Sequence, residues 1–191
     1  MVLWVGFVIS WLAAAFWHNK TEKRASLGTE LASRIALILG GVLMIVPAHR
    51  YHGPLRLWYV TRAEAWLCVA LAALGFAFCW WACIHLGPLW SGRITRKAGH
   101  RVVDTGPYGI VRHPIYTGIL LAVFATAAAK GTALGLVAAL IIAFGFWLKA
   151  RLEEQWLRQE LAPEAYDAYR RRVPMLLPFG RKAARETGGF S

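Results

Sequence analysis

From His100 to Tyr116 the chain reads HRVVDTGPYGIVRHPIY, and the residue types in that run suit a site that holds a polar ligand. Gly106, Pro107 and Gly109 make a turn that exposes backbone N–H and C=O groups. Arg112, His113 and Tyr116 bracket the start of an apolar block. Pro114 stands where a helix tolerates proline, so the first-turn amides there are open to an anion. A second cluster, Arg151, Glu153 and Glu154, offers negative charge to an ammonium group or to ribose hydroxyls. A third holds Tyr166, Tyr169 and the run Arg170, Arg171, Arg172. Tyr108 and Tyr116 can turn ring faces toward a cation. The sum describes a pocket for a zwitterionic, cation-bearing ligand of nucleoside size. Each feature also has a plain reading. A basic RHP at a helix start serves as topogenic charge and end-cap, and an acidic pair among arginines serves as surface ion pairing. Their joint occurrence favours a site.

The elements that must position these residues are apolar helices. Of 191 residues 58% are hydrophobic and 17% charged, where a soluble domain carries about a quarter charged residues. The apolar residues fall in five blocks: 1–17, 31–48, 65–84, 114–129 and 131–148. A bilayer core about 30 Å thick takes roughly 20 residues of helix, and unpaired backbone groups are not tolerated in lipid. The fold class expected is therefore an all-α integral membrane protein of about five transmembrane helices with a polar C-terminal helical segment. Residues 1–17 read as a retained span. They lack a basic n-region, and Trp11, Phe16 and Trp17 stand where a signal peptide needs small residues. Trp4, Trp17, Trp58, Trp66, Trp90 and Trp147 lie near expected interfaces.

Spans four and five are separated only by Ala129, Lys130 and Gly131, so they form an antiparallel hairpin, expected to pack closely through its many small residues. That hairpin carries residues 112–116 and 151–154 to one membrane face. The fifth span runs on into residues 149–161, with an apolar stripe of Leu152, Trp156, Leu157 and Leu161. Pro163 opens a short helix to Arg172, and Pro174 and Pro178 end regular structure. One domain is expected over residues 1–191: three spans in 1–86, a site-bearing half in 87–180, and a polar, frayed tail in 181–191.

The formal charge of +12 is distributed asymmetrically. Lys20, Lys23, Arg24 and Arg34 follow span one; Arg93, Arg96, Lys97, Arg101 and Arg112 precede span four; Arg151, Arg158, Arg170, Arg171, Arg172, Arg181, Lys182 and Arg185 follow span five. With five spans these regions share one side, which the positive-inside rule makes cytoplasmic, leaving the N-terminus outside. Arg50, Arg56 and Arg62 reduce that bias without reversing it. The charge thus reads as headgroup-facing, with no nucleic-acid partner. Cys68, Cys79 and Cys83 lie in the third block without His or carboxylate neighbours, a poor metal site, so no metal is expected. His18, His49, His52 and His85 stand at span ends, and residues 1–86 offer almost no candidate chemistry.

Gly87-Pro-Leu-Trp-Ser91, then the run to Tyr116 with Gly106-x-Tyr108 and Arg112-His-Pro-x-Tyr116-x-Gly118, then Glu153-Glu154, Tyr166-x-x-Tyr169 and Arg172-Val-Pro resemble the isoprenylcysteine carboxyl methyltransferase family in order and spacing. The resemblance covers residues 85–179 and implies a membrane methyltransferase that uses S-adenosyl-L-methionine without a soluble Rossmann-type fold. Residue by residue, it implies a cofactor held by His100, Arg101, Val102, Val103, Tyr108, His113, Pro114, Ile115, Tyr116 and a glutamate at Glu153 or Glu154. A substrate-side arginine is implied one turn before that glutamate. Lys149, Ala150 and Arg151 stand there, of which Arg151 is favoured, with Arg112 as a second catalytic arginine. Methyl transfer from a sulfonium needs alignment and exclusion of water, and a carboxylate or thiol acceptor needs no strong base. The chain shows no Ser/His/Asp constellation. The expected partners are the bilayer and a lipophilic small-molecule or lipidated acceptor such as an isoprenylcysteine-like group. The polar cofactor would come from the cytosol and the acceptor laterally from lipid. Alternatives are a phospholipid N-methyltransferase, a sterol-reductase-like NADPH enzyme, and a small transporter or scaffold. The last would want ionisable groups at mid-depth in the spans.

Overall fold

Six α-helices organise the described residues of the computed structural model, which are 2–15, 23–24, 27–47, 55–87, 95–96, 103–160 and 163–179. They are α1 (Val2–Ala15), α2 (Leu27–Ile45), α3 (Arg62–Leu86), α4 (Pro114–Lys130), α5 (Ala133–Glu160) and α6 (Pro163–Arg172). By length and composition α3 and α5 can each cross a membrane, while α1 and α4 are shorter apolar helices. At about 1.5 Å per residue α5 is some 42 Å long, more than a bilayer core of about 30 Å. Its last three turns, from Lys149, therefore project beyond its apolar stretch and carry the candidate site.

Local chemistry sets the boundaries. Thr61 and Glu64 form a reciprocal capping box at the start of α3: Glu64 Oε2 accepts from the Thr61 amide at 2.7 Å, and Thr61 Oγ1 accepts from the Glu64 amide at 3.3 Å. Pro114 opens α4, where its missing N–H is no loss. Gly131 ends α4 in the left-handed region (φ 61°), its amide donating to the carbonyl of Ala127 at 3.1 Å.

The closest helix contacts are not within the α4–α5 hairpin. α4 packs chiefly on α3 and α5 chiefly on α2, each more extensively than α4 on α5. The small residues expected to close the hairpin close these other seams instead. Gly75 of α3 and Gly118 of α4 cross so tightly that a methyl on either would collide with the other's carbonyl. Cys79 and Ala122, one turn on, are wholly buried beside them. Both helices thus present small residues four apart, the spacing that lets helix backbones approach in lipid. On the α2–α5 seam, a methyl on Gly40 would stand 2.5 Å from Ile142 Cγ1, and one on Gly145 would stand 3.0 Å from Leu37 Cγ. Gly118→Ala should lower stability by about 1–3 kcal/mol, because the obstacle is backbone and cannot rotate away. A depressed thermal midpoint in detergent would show it; an unchanged midpoint would mean that the crossing is looser.

One of the expected interface tryptophans, Trp4, packs inward, as does Trp11. Phe7 stacks on Phe76 at 4.2 Å, Trp4 meets Phe76 edge-on at 5.0 Å, and Trp11 meets Trp80 edge-on at 5.7 Å. The Trp4 indole N–H donates to Thr126 Oγ1 at 3.0 Å. Trp66 and Trp147 remain exposed; Trp17 and Trp90 lie outside the described residues.

Backbone pairing ties the connections into two ends. β1 (Lys23–Arg24), after α1, pairs antiparallel with β2 (Thr95–Arg96), before α4, so these two connections share an end with the C-terminus of α5. At the other end Arg56 bridges to Thr132, and the amides of Leu57 and Trp58 both donate to the Gly131 carbonyl, at 2.8 and 3.2 Å. The Trp58 indole donates to the Ala128 carbonyl at 2.9 Å, and Lys130 Nζ donates to the carbonyls of Met44, in the last turn of α2, and Val46, just beyond it.

Candidate active site

The site is assembled where the start of α4 meets the projecting end of α5. Ahead of α4 the chain turns through a short 3-10 segment, Gly106–Gly109. Gly106 adopts φ 57° with its α-carbon against the His85 ring, and His85 Nε2 lies 3.0 Å from Thr105 Oγ1. The chain then runs extended, and two of its amides are taken by residues far away in sequence. Arg112 N donates to the Pro174 carbonyl at 2.8 Å and His113 N to that of Met175 at 3.1 Å. Thr117 Oγ1 donates to the Leu176 carbonyl at 2.7 Å. The segment after α6 is thus a strap across the mouth of α4.

Arg112 is consumed by this framework. Its Nε donates to Glu154 Oε1 at 2.7 Å, and its Nη1 donates to the carbonyls of Arg170, at 3.0 Å, and Val173. One guanidinium therefore joins α4 to α5 and caps the C-terminus of α6, where a cation is favoured. His113, 7% exposed, sits between both glutamates, with Nε2 3.3 Å from Glu154 Oε1 and Nδ1 3.6 Å from Glu153 Oε2. Its ring lies parallel to that of Tyr116, 5.3 Å away. Tyr116 donates to Glu153 Oε2 at 2.8 Å, rests on Phe146 at 5.0 Å, and carries Lys149 Nζ over its face at 5.3 Å.

Adjacent residues on a helix point about 100° apart, and the two glutamates differ accordingly. Glu154 is 3% exposed and faces Arg112, His113 and Arg170, whose Nε is 3.3 Å from Oε2. Burial alone pushes its carboxyl up. The hydrogen bonds from His113 and Arg112, with their charges, outweigh burial and hold it at about 2. Glu153 keeps 25% of its side chain exposed and faces the Tyr116–Lys149 wedge.

Around this core α6 is latched down. Tyr166, Tyr169 and Val173 bury against Leu157. The Tyr169 hydroxyl donates to the Tyr108 carbonyl at 2.8 Å, Arg172 pairs with Asp104 at 3.0 Å, and Arg158 pairs with Asp167 at 2.8 Å. Burial pushes the phenols of Tyr108, Tyr166 and Tyr169 well up, so they act as neutral donors.

Of the residues singled out in the sequence, the fold brings together Arg112, His113, Tyr116, Glu153 and Glu154. Tyr108 and the start of α4 border them: Pro114 is buried, and the Ile115 carbonyl accepts from the Cys79 thiol at 3.3 Å. Val103 stands half-buried at the first described residue of the loop, while His100, Arg101, Val102 and residues 88–91 lie outside the described residues. Arg151 is not in the cluster. Its exposed guanidinium lies over the Trp147 ring at 5.3 Å and lines a separate cleft of ≈ 210 Å³ with Glu154, Gln155, Arg158 and Arg170. Two residues from Glu153 on a helix is about 200°, so the cation on the face of Glu153 is Lys149, one turn back. Phe146 was not anticipated either, although its spacing of seven from Glu153 marks that same face.

The described helices thus form an apolar bundle, two of them long enough to cross a membrane, with a buried ionic cluster at one end. Residues 67–159, just under half of the chain, match the model of the isoprenylcysteine carboxyl methyltransferase (ICMT) family. The match begins within α3 and ends at α5, so it takes in the Gly75–Gly118 crossing and leaves α1, α2 and α6 outside. Protein-S-isoprenylcysteine O-methyltransferase B of Arabidopsis thaliana is 31% identical over 88 residues, 46% of this chain and 44% of that relative. The match therefore spans under half the length of the relative.

Proposed function

We propose that the protein is an integral membrane methyltransferase that uses S-adenosyl-L-methionine to methylate the carboxylate of a lipophilic, isoprenylcysteine-like acceptor. The observation that carries this reading is the wedge at Glu153. A partly exposed carboxylate backed by the Tyr116 and His113 rings stands directly beyond an apolar helix, within the segment that matches the family. Negative charge and aromatic faces suit a ligand with a sulfonium and an ammonium group. That donor set fits the cofactor, which when bound supplies an electrophilic methyl group.

His113, Pro114, Ile115, Tyr116 and Glu153 would hold it, with Tyr108 and the stretch His100, Arg101, Val102, Val103 closing from the loop side. Glu154 and Arg112 act beneath them as positioning residues that fix α4 against α5. Arg151 is the acceptor-side cation. About 5 Å of helix separates it from Leu148, the last residue of the apolar stretch, so it sits at headgroup depth beside the exposed Trp147. In-line attack by the acceptor carboxylate on the sulfonium's methyl carbon, with the thioether as leaving group, would ask of the protein alignment and dryness, which the apolar packing of α4 on α3 and on α5 supports. Read with about five spans, the chain would hold the site end in the cytosol, a reading supported by the excess of basic residues in the segments that flank the site.

Isothermal calorimetry on detergent-purified protein tests the reading. S-adenosyl-L-methionine should bind, and Glu153→Gln should weaken it by roughly tenfold or more, as expected for one charge-assisted contact. Methylation of N-acetyl-S-farnesyl-cysteine by wild type tests the acceptor. Absence of cofactor binding by folded protein would end the proposal, and binding of NADPH in its place would favour a reductase.

A further inference from the structure

The N-terminal half contributes an unexpected buried charge. Glu30, in the first turn of α2, is 4% exposed, and Ser33 beside it is 1% exposed. Arg34, one turn on, donates from Nε (3.2 Å) and Nη2 (2.6 Å) to a single Glu30 oxygen, Oε2. A carboxylate buried at the end of an apolar helix is costly even when paired, and inside membrane helices such groups mark function more often than stability.

The helix register says what the pair faces. Along the antiparallel α2–α5 seam Gly40 meets Ile142 and Leu37 meets Gly145. One turn further toward the site end, Ser33 stands level with Lys149, and Glu30 stands level with the turn that carries Glu153. Lys149 and Glu153 occupy the sector of α5 between α2 and α4, because Phe146, one turn before Ala150, already packs on Tyr116. The wedge thus has three walls: α4 with His113 and Tyr116, α5 with Lys149 and Glu153, and α2 with the Glu30–Arg34 pair.

We infer that the Glu30–Arg34 pair of α2 is the third wall of the cofactor wedge, a positioning pair whose balance of charge sets how the site receives the cofactor's cationic centre. This inference rests on the methyltransferase reading. It assigns to the segment outside the family match a part in cofactor discrimination, beyond spanning the bilayer.

The test compares S-adenosyl-L-methionine, which bears the sulfonium, with S-adenosylhomocysteine, the neutral thioether of otherwise similar shape. Their dissociation constants are measured by calorimetry for wild type, Glu30→Gln, Arg34→Gln, the double variant and Arg34→Lys. Glu30→Gln leaves Arg34 unneutralised and should weaken the sulfonium relative to the thioether by about three- to tenfold, the range for one unit charge roughly 10 Å away at an intermediate dielectric. Arg34→Gln leaves the carboxylate unneutralised and should move the ratio the opposite way. The double variant, with no buried charge left unpaired, and Arg34→Lys should both return it to the wild-type value. A purely structural pair would move both ligands together in every variant, and that result, or an unmoved ratio, overturns the inference while the methyltransferase reading stands. Wild type that binds neither ligand removes the reading and the inference with it.

Discussion

Glu154→Ala should destabilise the folded protein by about 3–5 kcal/mol, the range for breaking a buried ion pair from one side. The loss is large because two arginines and the His113 ring converge on that carboxylate. Without it Arg112, 10% exposed, keeps only carbonyl partners, and Arg170 loses its link to α5. Arg112→Ala should cost a similar amount, and the double variant should cost less than the two singles added, since it leaves neither partner's charge unpaired. Thermal unfolding in detergent measures all three; strictly additive losses would mean that the pair is not coupled. The same carboxyl sets an acid limit. Its folded value of about 2 lies below the ordinary 4.5, so its stabilisation is fully present above about pH 4.5. It is lost progressively as pH falls through 2, on the order of 3 kcal/mol in all. A Glu154→Gln protein should show a flatter stability profile across that window.

Ending the chain after Glu160 should abolish cofactor binding, by about a hundredfold or more (roughly 3 kcal/mol), while leaving the apolar helices formed. The removed residues supply the carbonyls that receive Arg112, His113 and Thr117, the hydroxyl that holds the Tyr108 carbonyl, and the arginine that pairs with Asp104. Without them the loop before α4 has no floor. Circular dichroism with calorimetry separates the two effects. Cofactor affinity retained within tenfold would mean that α6 and the strap are dispensable.

Much of this arrangement was legible because local signals agree with one another. Pro163 at a helix start and Pro174 beyond its end mark α6 to the residue, and the apolar stripe through Leu152 and Leu157 carries α5 past its span. The hairpin geometry brings Arg112 to Glu154 from sequence alone. The roles of the two glutamates were not legible, because residues one apart differ by a rotation that only the seam with α2 fixes. The bonds from Arg112 to carbonyls some 60 residues away were not legible either, because they cross a turn that no periodicity predicts. Glu30 stands one residue outside an apolar block, where a carboxylate in a helix's first turn ordinarily reads as a solvated dipole partner. The Gly75–Gly118 crossing needs two helices in register, and each glycine alone says nothing of the other.

The end of the bundle opposite the site is laced shut. Gly131, Trp58 and Lys130 join α4, α2 and the chain leading into α3 through backbone carbonyls. Mechanically the molecule resembles a sprung peg, jawed at one end and riveted at the other. Separation of the described helices is therefore resisted at the tied end and easiest at the site end.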